Sequence, residues 1–109
     1  MSVSDADIAF ARDLFAPLGT ITHRKMMGGA TYYCDGNIFA ITSADGTIYL
    51  KADGAFAEAL AAEGSQKFTF TRKKDGAEGS MGYWTLPDAA LDDADAACDW
   101  ARQALEHQQ

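Results

Sequence analysis

The chain has 109 residues, with nine basic side chains against sixteen acidic ones, a net charge of −7, and 48% hydrophobic and 11% aromatic content. A chain of this length buries roughly two thirds of its unfolded surface in one core, so a single domain without metal or disulfide staples is expected. No apolar run approaches the roughly 18 residues that span a bilayer and no basic segment precedes an apolar one at the N-terminus, so a cytoplasmic setting is the default expectation, while the acidic balance argues against holding naked nucleic acid mainly by phosphate neutralisation.

Ser4 and Asp7 form a capping-box-like start, and Ile8, Ala11, Phe15 and Leu18, with Leu14 beside them, recur at helical spacing. Pro17 disfavours helical geometry at Ala16 and Gly19 is a plausible stop, so this helix should end near Ala16. An extended run from Thr20 to Lys25 then meets Gly28 and Gly29, where a bulge or sharp bend is expected. A β-meander follows, with strands over Ala30 to Cys34, Asn37 to Thr42 and Thr47 to Lys51, rich in β-branched and aromatic residues. Asp35-Gly36 and Asp45-Gly46 read as two-residue type I′ connections between them.

Asp53 can cap a helix over Ala55 to Glu63 that carries Phe56 and Leu60 on one face and ends at Gly64. Lys67 to Arg72 alternates strictly, which puts both phenylalanines on one side of a strand. Residues 73 to 80 read as a polar loop, and Met81 to Leu86 as a returning strand with Tyr83 and Trp84. Pro87 closes that strand, Asp88 to Leu91 form a turn, and Asp92 or Asp93 caps a last helix with Ala97, Trp100, Ala101, Ala104 and Leu105 along one face. The pattern is an α+β domain in two layers: helix, β-meander, helix, β-hairpin, helix, with an antiparallel sheet and the helices on one face. Its other face, carrying aromatics such as Tyr33, Tyr49 or Trp84, needs cover, which half of a homodimer interface would supply.

Chemistry is harder to find. Cys34 and Cys98 lack metal-ligand spacing and read as buried thiols, and Asp88, Asp92, Asp93, Asp95 and Asp99 lack the alternate-residue spacing of a calcium loop, so no metal or cofactor is expected. Gly28 and Gly29 precede no helix start and match no phosphate loop. An enzyme or small-molecule binder would have to draw on His23, Cys34 and Tyr33, since His107 lies in the tail. Clustered cations are the better contact candidates: Arg24, Lys25, Arg72, Lys73 and Lys74 would meet an acidic protein surface or make weak phosphate contacts. Direct DNA binding through Arg72 to Lys74 is a third alternative, and direct nucleic-acid binding is not the expectation at this net charge.

The run Arg24-Lys25-Met26-Met27-Gly28-Gly29, the Asp35-Gly36 turn leading to Phe39-Ala40, Tyr49-Leu50-Lys51, and Tyr83-Trp84-Thr85-Leu86-Pro87 followed by Leu91-Asp92 and Trp100-Ala101 resemble the N-terminal domain of the TfoX/Sxy family, regulators of natural competence. The resemblance covers nearly the whole chain, and residues 1–109 are read as a single domain of this type. It implies a secretion-chaperone type of α+β fold, no catalytic residues, and Met26, Gly28, Gly29, Pro87 and Trp100 as signature positions. Family members implicated in competence are similar to co-activators that work with the cyclic-AMP receptor protein and carry a second, helical C-terminal domain. The resemblance therefore implies a non-enzymatic, protein-binding accessory of transcription or competence, here as a single-domain member.

Overall fold

A computed structural model describes residues 3–26, 28–52, 54–71 and 78–107. Helix α1 (Asp5–Phe15) starts where the capping box is made: the Ser4 hydroxyl accepts from the Asp7 amide at 3.1 Å, and the Asp7 carboxylate accepts from the Ser4 amide at 3.5 Å. Pro17 sits in the 3₁₀ turn Ala16–Leu18 that ends it. Strands β1 (Ile21–Met26), β2 (Gly29–Cys34), β3 (Asn37–Thr42) and β4 (Ile48–Lys51) follow, then α2 (Gly54–Ala62), β5 (Lys67–Thr71), β6 (Glu78–Thr85), a 3₁₀ turn (Asp88–Ala90) and α3 (Ala94–His107). All pairings are antiparallel, in the order β1-β2-β3-β4-β6-β5, giving the α+β class and element order read from pattern.

Turn chemistry explains the connections. Asp35 and Gly36 both take positive φ, 51° and 87°, as a type I′ hairpin requires. The β3–β4 connection differs from the two-residue turn expected at Asp45-Gly46. Gly46 alone has positive φ, its amide donates to the Ser43 carbonyl, and the Ser43 amide donates to Thr47, which is a type I turn with a glycine bulge. The reason is the Asp45 carboxylate, which accepts from the Thr47 amide at 3.0 Å and from the Ser43 hydroxyl and so favours the local side-chain turn. Gly28 (φ 82°) stands in the reversal between β1 and β2, where Met26 pairs with Gly29. The bend expected there is thus a hairpin. Gly64 (φ 90°) closes α2 in a Schellman arrangement, with the Ser65 amide donating to Leu60 and that of Gly64 to Ala61. Asp93, accepting from the Ala96 amide, is the cap of α3. The expected cap at Asp53 lies outside the described residues.

The core fills the space between helices and sheet. Tyr32, Phe15, Phe39, Phe56, Leu50 and Leu60 are almost wholly buried there. Alternation and register put Ala30, Tyr32 and Cys34 of β2, Ala40 and Thr42 of β3, and Ile48 and Leu50 of β4 on the helix side. A bulge inserts Phe39 between the Tyr33–Ile38 and Tyr32–Ala40 pairs, so two consecutive β3 residues turn toward the helices, and Phe39 meets Phe15 edge-on at 5.1 Å. β6 begins three residues earlier than its sequence signals, because Glu78, Gly79 and Ser80 pair with β5 although they carry no apolar pattern.

Candidate functional site

The same register that builds the core lays out the opposite face of the sheet. Arg24, Thr31, Ile41, Tyr49 and Thr85 stand in one row across β1, β2, β3, β4 and β6, because each is the partner of the next. Two residues along, Tyr33, Lys51 and Tyr83 form a second row. Phe68 of β5 joins them by meeting the Tyr49 ring edge-on at 4.9 Å. No described helix packs on this face; α1 and α3 lie over β3 from the other side. The side chains bury one another instead. Thr31 (7%), Ile41 (9%) and Tyr83 (6%) are nearly inaccessible, while Tyr33, Tyr49 and Phe68 are half-exposed over them.

The Tyr49 and Tyr83 phenols of this face are held toward their neutral form. The Thr31 hydroxyl donates to the Tyr33 phenol oxygen at 3.3 Å. Burial pushes the Tyr83 phenol above its ordinary pKa, and neighbouring Tyr33 adds to the shift. Burial raises Tyr49 too, helped by the Asp45 carboxylate and opposed by a hydrogen bond to Ser43. Asp45 itself sits at the β3–β4 turn, held below the usual carboxylate range by hydrogen bonds from Ser43 and Thr47. Among the described residues, the sheet positions of this face hold two cations, Arg24 and Lys51, both exposed, and no carboxylate. The carboxylates of α1, α2 and α3 lie in the helix layer.

Of the cations proposed from sequence, the two described ones, Arg24 and Lys25, are separated. Arg24 points to the uncovered face, whereas adjacent Lys25 points to the helix side and pairs with Asp5 at 3.0 Å, an exposed ion pair of small energetic weight. Arg72, Lys73 and Lys74 lie outside the described residues, as does the side chain of Met26. Trp84, expected on the open face, is paired with Leu50 and packs against the core; Tyr83 takes the outer position. Alternation alone could not say which of two adjacent aromatics faces out, because that depends on pairing with β4. Of the signature positions, Gly28 turns the chain and its carbonyl accepts from the Val3 amide at 2.6 Å. Gly29 lies against the Thr42 carbonyl, where an added Cβ would overlap that oxygen. Pro87 is buried before a 3₁₀ turn, and Trp100 packs on Phe56. Lys51 was missed; its signal was its place after Tyr49 in a strand whose neighbours Ile48 and Leu50 face inward.

His23, Cys34 and Tyr33 do not converge. Tyr33 is on the outer face, while His23 and Cys34 face the helices. Cys34 is buried in the apolar core, and burial, with Asp35 nearby, raises its thiol pKa away from the reactive thiolate. His23 Nδ1 lies 3.3 Å from the Arg12 guanidinium, whose other nitrogen donates to the Ile21 carbonyl at 2.8 Å. These residues line an open cleft of about 570 Å³ between α1 and β1, together with Asp5 and Asp13. Arg12 is thereby committed to holding the helix on the edge strand, and the cleft mixes both signs of charge. Among the described residues, no group of three or more His, Cys, Asp or Glu is placed to hold a metal ion, and no helix is long and apolar enough to cross a membrane.

No curated protein matches the chain. The family model of the TfoX N-terminal domain matches residues 13–108, which takes in every strand, both glycines of the β1–β2 hairpin and the Trp100 contact. That family is linked to the regulation of competence, and a regulatory or interaction role in general fits it. The chain belongs to the TfoX N-terminal domain family.

Proposed function

We propose that this domain is a non-enzymatic interaction module, an accessory regulator of transcription or competence that works in the cytoplasm by touching a protein partner such as a transcription regulator. The observation that carries the reading is the outer face of the sheet: a floor of half-exposed Tyr33, Tyr49 and Phe68 over buried Ile41, with cations at its margins and no described helix over it. Aromatic surface of this kind, adaptable at the hydroxyl and apolar over the ring, is characteristic of protein contacts. Family membership supports the regulatory side of the reading. The test is deletion of the gene in its host, followed by complementation with the wild-type chain or with a Tyr33→Asp, Tyr49→Asp double variant. A transcript change restored by the wild type and not by the folded double variant is the expected result. Full restoration by the double variant would overturn the assignment to this face.

The half-exposed aromatics also favour a second reading, in which two copies cover each other across the same face as a homodimer. Light scattering over a concentration series separates the two.

A further inference from the structure

We propose that the uncovered sheet face docks an acidic amphipathic helix of the partner, with Arg24 and Lys51 as its two anchoring cations. This rests on the reading of the domain as an interaction module and names the chemistry of what it binds. Charge carries the first step. In a chain of net charge −7, the described sheet positions of this face hold cations and no carboxylate, and neither cation is within ion-pair distance of a described carboxylate. A second copy placed face to face would bring cation toward cation, whereas an acidic partner finds complementarity. Backbone chemistry carries the second step. The main chain at Thr31, Ile41 and Tyr49, each paired with a strand on both sides, is already consumed in ladders, so an extended peptide laid on the face would leave its own amides unpaired. A helix satisfies its backbone internally and offers only side chains.

Geometry sets the spacing. Arg24 is three strands from Tyr49, and Lys51 is two residues along from Tyr49. Strand separations of about 4.8 Å and a rise of about 3.4 Å per residue put the Arg24 and Lys51 Cα atoms about 16 Å apart. That span equals about eleven residues, three turns, of α-helix. The docked helix therefore carries carboxylates about eleven positions apart, with apolar residues between them resting on Tyr33, Ile41 and Tyr49.

The test uses the full chain and three synthetic leucine-bearing helical peptides with glutamate pairs spaced 7, 11 and 14 residues apart, a lysine-for-glutamate version of each, and a single-stranded thymidine oligonucleotide, all read by fluorescence anisotropy. The glutamate peptide with the 11-residue spacing should bind most tightly. Arg24→Glu and Lys51→Glu should each weaken it by about tenfold, because reversal turns an attraction into a repulsion, and the double variant should prefer the lysine version. Glutamate peptides that bind no better than lysine versions, or equally well to the variants, overturn the proposal. So do tighter binding of the oligonucleotide and a wild-type dimer dissolved by the same substitutions. If the peptides fail while Tyr33→Asp, Tyr49→Asp still abolishes complementation, the face is an interface for another chemistry. If complementation is also unaffected, the reading of the face itself fails.

Discussion

Gly29→Ala tests how tightly the signature segment is built into the sheet. Gly29 begins β2 and does not take positive φ, so alanine is conformationally allowed there. Its missing side chain matters because an added Cβ would overlap the Thr42 carbonyl oxygen, with the Thr42 carbon at 3.5 Å and Ser43 Cα at 3.6 Å behind it. The obstacle is backbone of a central strand and cannot swing aside. Either β2 and β3 separate next to the Ala30–Thr42 pair, or Gly29 moves away from Met26. Overpacking of this kind costs about 1–3 kcal/mol, and a weakened ladder bond adds about 1 kcal/mol, for a total of about 2–4 kcal/mol. For a domain of this size the melting temperature falls by about 4 °C per kcal/mol, so a loss of about 8–16 °C is expected. Thermal melting followed by circular dichroism, with hydrogen exchange of the β2 and β3 amides, measures it. Gly36→Ala is the contrast: nothing lies within 4 Å of an added Cβ, and its cost of about 1–2 kcal/mol comes from a φ of +87°. It should leave β2–β3 exchange at the Ala30–Thr42 pair unchanged. A Gly29→Ala variant within about 0.5 kcal/mol of the wild type would refute the close-approach argument.

Other consequences follow from buried groups. Tyr32→Phe strands the Thr42 hydroxyl, now bonded to the Tyr32 oxygen at 2.7 Å, and should cost about 1–3 kcal/mol in urea unfolding, most of it recovered when Thr42→Val is added. Cys34 and Cys98, both buried and with thiol pKa values raised first by burial, should resist a thiol reagent in the native state and react together on unfolding; fast labelling of either without unfolding would contradict the packing. Burial is also the largest cause of the raised pKa values of Tyr32, Tyr49 and Tyr83. The folded state then holds these protons longer than the unfolded chain does. Their stabilising effect is intact below the unfolded tyrosine value of about 10 and declines as pH rises through the folded values. Tyrosinate absorbance should rise late and together with loss of structure, and a simple titration at the free-tyrosine value would show that the rings are solvated.

The framework of this fold was legible because local chemistry and tertiary structure agree over most of it. Ser4 and Asp7, Asp35 and Gly36, and Gly64 each act within a few residues, so spacing alone identified the α1 start, a type I′ hairpin and the α2 stop. Asp45-Gly46 looked identical to Asp35-Gly36 until the Asp45 side chain found the Thr47 amide. Pairing information was not local. Whether Tyr83 or Trp84 faces outward, and whether Glu78 to Ser80 join a strand, depend on which strand lies alongside. Arg24 and Lys25 read as one cationic patch in sequence, yet a strand sends adjacent side chains to opposite faces, and only Arg24 reaches the open one. The candidate surface became visible once rows from β1, β2, β3, β4 and β6 were set side by side.

The proposed role puts the working surface of this domain on the open face of its sheet and not in the α1–β1 cleft. A photoreactive phenylalanine analogue placed at Tyr33, at Ala9 in the cleft, or at Asp99 on α3 addresses it directly in living host cells. Irradiation should join the Tyr33 position to another protein while the Ala9 and Asp99 positions give none. Adducts at Ala9 with none at Tyr33 would contradict the account.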